Sequence, residues 1–133
     1  MYDSNGLEIL TAEDCLKLLS SVTIGRVVCT DNALPAVLPV RFRLLGEAVV
    51  ICASESSTLA AAVRNAVVAF QADWFAPDDE SGWSVTVVGY AREVTDPADR
   101  ARLAELPVRS WMPGDRDCYL RIPAERVTGR RLG

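Results

Sequence analysis

The chain has 133 residues, of which half are apolar and 24% are charged, with 8 Gly and 7 Pro; this composition is typical of one folded domain and excludes disordered and collagen-like chains. It contains no histidine, which excludes Ser-His-Asp and Cys-His catalysis and any zinc or haem site that needs an imidazole ligand. The net charge of −4 argues against a general nucleic-acid binder, because a phosphate backbone needs a contiguous basic surface.

The basic residues and the cysteines narrow the chemistry further. Lys17 is the single lysine among the 14 basic residues, so chemistry that requires a lysine has one candidate. The 4 cysteines are widely separated and form no C-x-x-C pair, as is typical of buried thiols in a reducing compartment. The polar start of the chain does not resemble a signal peptide, and no apolar run approaches the roughly 20 residues that span a bilayer. We expect a single domain over residues 1–133, in the cytoplasm, with no membrane or nucleic-acid partner.

The first half of the chain predicts a short helix, a β-hairpin and a buried strand. Thr11 can cap a helix that ends before residues 20–21. A β-branched run over residues 24–30 is followed by a turn and by an alternating segment over residues 35–44, which indicates a hairpin. Residues 48–53 are apolar at every position, as expected for a strand that is covered on both faces.

The second half continues the same pattern of strands and short helices. It predicts a helix over 59–64, strands over 66–74, 83–94 and 118–122, a helix from Asp96 to about 106–107, and a basic tail over 126–131. In the first of these strands, Gln71 and Asp73 occupy the polar face. Six strands and three helices that do not alternate as βαβ units favour a mainly β fold, a small antiparallel barrel with peripheral helices.

The segment over residues 54–58 is the most informative, because it places four hydroxyls and Glu55 between a buried strand and a helix. The hydroxyls belong to Ser54, Ser56, Ser57 and Thr58. A helix N-terminus presents free amides and a positive dipole end, so this segment could hold a phosphate without lysine. The same hydroxyls could instead simply cap the helix. Glu55 would repel a phosphate unless its side chain turned to solvent.

Five motifs in this order resemble the pyridoxamine 5'-phosphate oxidase-like flavoproteins. They are GRV at 25–27, PAVLPV at 35–40, VICASESST at 50–58, GWSVTVVGYA at 82–91 and TGRR at 128–131. The resemblance covers residues 10–132, and the last two motifs are most similar to a small branch of the family related to nitroimidazole reductases. It implies a six-stranded antiparallel split β-barrel of the FMN-binding type.

The resemblance also implies a cofactor site at a homodimer interface. By position, Pro39, Val40 and Arg41 would lie beside the flavin ring of FMN, and the four hydroxyls of residues 54–58 would face its phosphate. Ser84 would lie near the flavin, Trp111 of the partner chain would form a lid, and Arg130 resembles a C-terminal arginine of the longer oxidases. Oxidase-type members usually carry Arg and Lys where this chain has Ser57 and Thr58, and each lost charge-assisted contact is worth about 1.5–3 kcal/mol.

The sequence therefore leaves three hypotheses open. The first is an FMN-dependent oxidoreductase acting on a small redox substrate, with Arg41 or Arg64 replacing the lost cations; Arg64 also fits a surface arginine at a helix end. The second is a non-catalytic split-barrel homodimer whose degraded phosphate loop serves a binding or regulatory role. The third is a reductase that uses a deazaflavin coenzyme. The sequence identifies no catalytic residue and no metal ligands.

Overall fold

The computed structural model describes residues 1–108 and 117–133, and within them eight strands form one sheet with three short helices around it. The strands are β1 (Glu8–Ile9), β2 (Ile24–Asp31), β3 (Leu34–Leu45), β4 (Ala48–Ser54), β5 (Ala66–Phe75), β6 (Gly82–Glu93), β7 (Asp117–Pro123) and β8 (Arg126–Leu132). The helices are α1 (Ala12–Leu19), α2 (Thr58–Val63) and α3 (Pro97–Ala104).

Six of the strands close into an antiparallel barrel, which confirms the predicted fold. The sheet order is β1-β8-β6-β5-β2-β3-β4-β7, and a further pairing between β6 and β7 closes the ring. β8 pairs with the first part of β6, and β1 pairs with β8, so these two strands extend the sheet beyond the barrel. The tail over residues 126–131, predicted only as a basic tail, is therefore a strand. Its conformation follows from pairing with β6, because strand propensity depends strongly on context.

The split of the barrel lies where β3 changes partners. Up to Arg41, β3 pairs with β2, and from Phe42 it pairs with β4. If the β3–β4 register continued, Arg41 would lie opposite Cys52 and Pro39 opposite Ser54, but among the described residues these pairs do not form. β3 and β4 therefore separate at this point, and the split lies between residues 39–41 and the end of β4.

The core fills the interior of the barrel. β4 is buried at every position, as the sequence predicted, and β5 and β6 alternate between buried and more exposed residues. The Phe42 and Phe70 rings pack against each other with their centroids 4.6 Å apart. Gly25 lies against this pair, and a Cβ atom there would overlap the Phe70 ring. β2 therefore needs a glycine at this position to approach the core.

Each helix begins at a side-chain cap. Thr11 Oγ1 accepts a hydrogen bond from the Asp14 amide at 3.2 Å, and Asp96 accepts one from the Asp99 amide at 3.0 Å, which confirms both predicted helix starts. The four cysteines all lie in the described part of the chain, where they are buried and not joined in disulfides. Within residues 1–108 and 117–133 no helix has the length and apolar character needed to cross a bilayer.

Candidate functional site

The segment that follows β4 uses part of its hydroxyl content for its own folding. Ser57 Oγ accepts a hydrogen bond from the Ala60 amide at 3.1 Å and donates one to the Ser54 carbonyl at 2.6 Å, so Ser57 is the N-cap of α2. Ser54 is buried, whereas Ser56 and Thr58 are exposed. The capping role that the sequence allowed is therefore observed for Ser57. Ser56 and Thr58 are the hydroxyls of this segment that lie at the surface.

Arg64, a candidate replacement for the lost cations, is engaged at the other end of α2. Its Nε lies 2.8 Å from Glu93 Oε1, and its terminal nitrogen donates to Cys118 Sγ at 3.9 Å. Burial disfavours the charged form of Arg64, but the interactions with Cys118 and Glu93 outweigh this, and the pKa of Arg64 is raised. These contacts tie α2 to β6 and β7. Arg64 therefore has a structural role at the helix end.

Residues 39–41 border the split from the β3 side. Pro39 and Arg41 are exposed and lie opposite Arg26 and Ile24 of β2. Val40 points inward and is only 3% exposed, so a ligand outside the barrel could meet its backbone but not its side chain. A cavity of about 240 Å³ lies beside Arg41, and Thr23, Arg43 and Pro107 also line it.

A hydrogen-bonded network occupies the outer face of the sheet across β2, β5 and β6. The Arg26 guanidinium donates to Gln71 Oε1 at 3.1 Å and lies 3.5 Å from Asp73 Oδ1. Gln71 Nε2 is 2.9 Å from Asp73 Oδ2 and 3.0 Å from Ser84 Oγ. Ser84 was predicted as a site residue, whereas the sequence assigned no role to the other three residues of the network. The polar face predicted for β5 could have identified Gln71 and Asp73 as candidate site residues. The sequence around Arg26 contains no such signal.

Apolar side chains surround this network. Val28 of β2 lies opposite Val37 of β3 and opposite Ala69 of β5, on the same face as Arg26 and Gln71. Val37 is 60% exposed. Ile24 at one end of β2 is also exposed. The outer face therefore combines an apolar surface with a small group of hydrogen-bonding side chains.

Arg130 lies on β8 directly opposite Ser84, but it already has a partner. Its Nε donates to Asp3 Oδ2 at 2.9 Å. The other Asp3 oxygen accepts hydrogen bonds from the amides of Asn5 and Leu7. The amide of Leu7 is the main reason that the pKa of Asp3 is lowered, and Arg130 contributes in the same direction. The N-terminal segment thus holds the arginine that was predicted to lie near a cofactor.

The predicted site residues therefore lie in two places. Pro39, Arg41, Ser84 and Arg130 belong to the strands of the outer face, and residues 54–58 lie across the split from β3. Trp111 lies outside the described residues. In the described part of the chain, no group of three Cys, Asp or Glu residues is arranged to hold a metal ion.

The family model described as pyridoxamine 5'-phosphate oxidase matches residues 11–131. The chain belongs to this family. An uncharacterized protein of Mycobacterium tuberculosis (strain ATCC 25618 / H37Rv) is 38% identical over 128 residues, covering 92% of this chain and 84% of the relative. The family resemblance seen in the sequence is thereby confirmed.

Two solved structures share the fold of this member of the pyridoxamine 5'-phosphate oxidase family. The FAD binding protein from Mycobacterium smegmatis is 35% identical, with a TM-score of 0.80, and the match covers 93% of this chain and 96% of that one. An FAD-binding protein from Mesorhizobium loti is 22% identical, with a TM-score of 0.80 and coverage of 96% and 99%. The second likeness shows the fold alone.

Proposed function

We propose that the chain binds a flavin nucleotide on the outer face of β3, β2, β5 and β6, beside the split, and acts as an oxidoreductase on a small redox substrate. The network of Arg26, Gln71, Asp73 and Ser84 within an exposed apolar face carries this proposal. The 35% identity to a protein described as FAD-binding, over nearly the full length of both chains, supports it.

The outer face suits a flavin ring because the ring combines flat apolar faces with a hydrogen-bonding edge. Val28 and Val37 offer apolar contact, and Gln71 and Ser84 offer hydrogen-bonding groups. A bound flavin supplies the hydride or electron chemistry. This chain's residues would bind and orient the ring and exclude water, which is compatible with the absence of histidine.

The sequence resemblance implied FMN as the cofactor. The segment after β4 suits FAD better. Residues 54–58 contain no Lys or Arg and do contain Glu55, and Arg64 is engaged by Glu93. A terminal phosphate carries about −1.5 to −2 charges at neutral pH, as a phosphomonoester does. The pyrophosphate of FAD carries two charges as well, but one on each phosphate, so a single phosphate facing a segment without cations brings less charge than the phosphate of FMN.

A second copy of the chain would complete this site. The exposed apolar residues of β2 and β3 form a face that a partner chain can cover, and the outer edge of residues 34–41 pairs with no other strand in the described part of the molecule. A homodimer would also bring Trp111 of the partner chain to the flavin, as the resemblance implies. Light scattering should then give twice the monomer mass of 14.5 kDa.

Titration of the purified chain with FAD, FMN and a deazaflavin coenzyme, followed by fluorescence, tests the proposal. We expect saturable binding of FAD and weaker binding of FMN. The substitution Thr58→Lys adds a cation at an exposed position, so FMN affinity should rise about tenfold, since a charge-assisted contact is worth at least 1.5 kcal/mol. Thr58→Gln is the matched control without charge.

Binding of none of the three compounds would contradict a flavoprotein and favour the non-catalytic dimer. If only the deazaflavin bound, the reductase would use that coenzyme instead. An unchanged FMN affinity in Thr58→Lys would show that residues 54–58 do not face the phosphate.

A further inference from the structure

Two adjoining cavities lie beside α3, and residues of the proposed flavin site line neither of them. One has a volume of about 340 Å³ and the other about 600 Å³, and they share Val94, Asp99 and Arg121. Arg92 lines the smaller cavity and Arg102 the larger one. Buried Leu103 forms part of the wall of the larger cavity. The two cavities form one groove with three arginines along it.

Two of these arginines face each other at the seam that closes the barrel. β6 and β7 pair through two positions, and one of them places Arg92 directly opposite Arg121. Directly opposite residues of an antiparallel pair project on the same face, with Cβ atoms about 4.5–5.5 Å apart, and like charges there are destabilising. The closure of the barrel therefore includes a repulsive contact.

No carboxylate in the described parts of the chain lies within ion-pair distance of Arg92 or Arg121. Four acids line the smaller cavity, and three of them have an ion-pair or hydrogen-bond partner other than Arg92 and Arg121. Glu93 lies against Arg64, Asp96 caps α3, and Glu125 accepts a hydrogen bond from the Tyr90 amide at 3.4 Å. The fourth acid, Asp99, borders both cavities without an ion pair to any described arginine. Neither Arg92 nor Arg121 therefore has an ion-pair partner in the described structure.

An aromatic ring positions one member of the pair. The Arg92 guanidinium carbon lies 4.9 Å from the centroid of the Tyr90 ring, which is a cation–π contact. This contact holds the Arg92 guanidinium over the Tyr90 ring, and both residues line the smaller cavity. Two arginines that lie directly opposite each other and line one cavity can both donate to the oxygens of a tetrahedral anion.

We propose that Arg92 and Arg121 bind the phosphate group of a small phosphate-bearing ligand in this groove. The phosphate would bridge the two guanidinium groups and replace their repulsion with two charge-assisted contacts. Because the pair lies at the β6–β7 seam, binding would also stabilise the closed barrel. The site is separate from the flavin face and does not depend on flavin binding.

The test is calorimetric titration with inorganic phosphate at constant ionic strength, using the full chain saturated with FAD if it binds FAD. The variants are Arg92→Gln and Arg121→Gln. Arg126→Gln is the matched control, because Arg126 is an exposed arginine of β8 that does not line the groove. We expect saturable binding in the wild type and the control, and affinity about tenfold weaker or worse in each groove variant.

The melting temperature supplies a second signature that loss of folding would not produce. Without phosphate, Arg121→Gln should melt at a higher temperature than the wild type, because the repulsion is gone. Phosphate should raise the melting temperature of the wild type and of Arg126→Gln but not that of Arg121→Gln. Absence of saturable phosphate binding, or equal binding in all variants, would overturn the proposal.

Discussion

The segment after β4 and the outer face of the sheet both resemble parts of a flavin site, but they are built in different ways. In the segment, Ser57 is held by contacts three residues away on either side, with the Ser54 carbonyl and the Ala60 amide. On the outer face, Arg26 and Gln71 are 45 residues apart in the chain and meet because β2 pairs with β5. A hydroxyl in a local motif can thus be taken up by capping its own helix. Side chains that strand pairing brings together on the outer face cap no helix and can contact a ligand.

A substitution in the core beneath the outer face should cause the largest loss of stability. Phe70 directly precedes Gln71 on β5 but points inward, against Phe42. Phe70→Ala should lower the free energy of unfolding by about 3–5 kcal/mol, because a large buried ring is replaced by a cavity. Chemical denaturation measures this loss. A change below about 1 kcal/mol would show that β5 does not depend on this ring contact.

Gln71→Leu tests the role of the outer face without changing the core. Gln71 connects Arg26, Asp73 and Ser84, so its replacement should weaken flavin binding about tenfold, the equivalent of one hydrogen bond with a charged partner. The midpoint of unfolding should move little, since the side chain lies on the surface of the sheet. Thr30→Val, on the same face at the far end of β2, is the control. Equal affinities in the two variants would place the flavin elsewhere.

Ser57→Ala tests the opposite expectation for the segment after β4. Loss of the N-cap should lower the free energy of unfolding by about 1 kcal/mol. Flavin affinity, measured where the variant is still folded, should change less than in Gln71→Leu. Denaturation and titration of the same preparation give both values. A large loss of affinity with unchanged stability would show that Ser57 serves the ligand and not α2.

The contact between Asp3 and Arg130 should show the smallest effect, and one that depends on pH. The pKa of Asp3 lies below its ordinary value of 3.8, so the contact stabilises the fold above that pH and is lost as the pH falls through the pKa in the folded state. Asp3→Asn should therefore melt slightly below the wild type at neutral pH, and the difference should vanish in acid. Glu13→Gln, in the exposed pair with Lys17, is the control. A difference that grows in acid would contradict this sign.

The sequence predicted the barrel because its signals are local: the buried strand β4, the alternation of β3 and the caps at Thr11 and Asp96 each lie within a few residues. It did not predict β8 as a strand, because that segment becomes a strand only by pairing with the distant β6. The network around Gln71 and the pair of Arg92 and Arg121 depend on register between distant strands, which one sequence does not reveal. The engagement of Arg130 by Asp3 is likewise a contact across almost the whole chain.

Flavin binding is best tested by the visible absorption spectrum of the chain as purified, with mass spectrometry of any released compound. We expect the two flavin absorption bands and a released compound with the mass of FAD. A colourless protein that releases nothing, and whose spectrum stays unchanged after incubation with FAD or FMN, would show that the chain is not a flavoprotein.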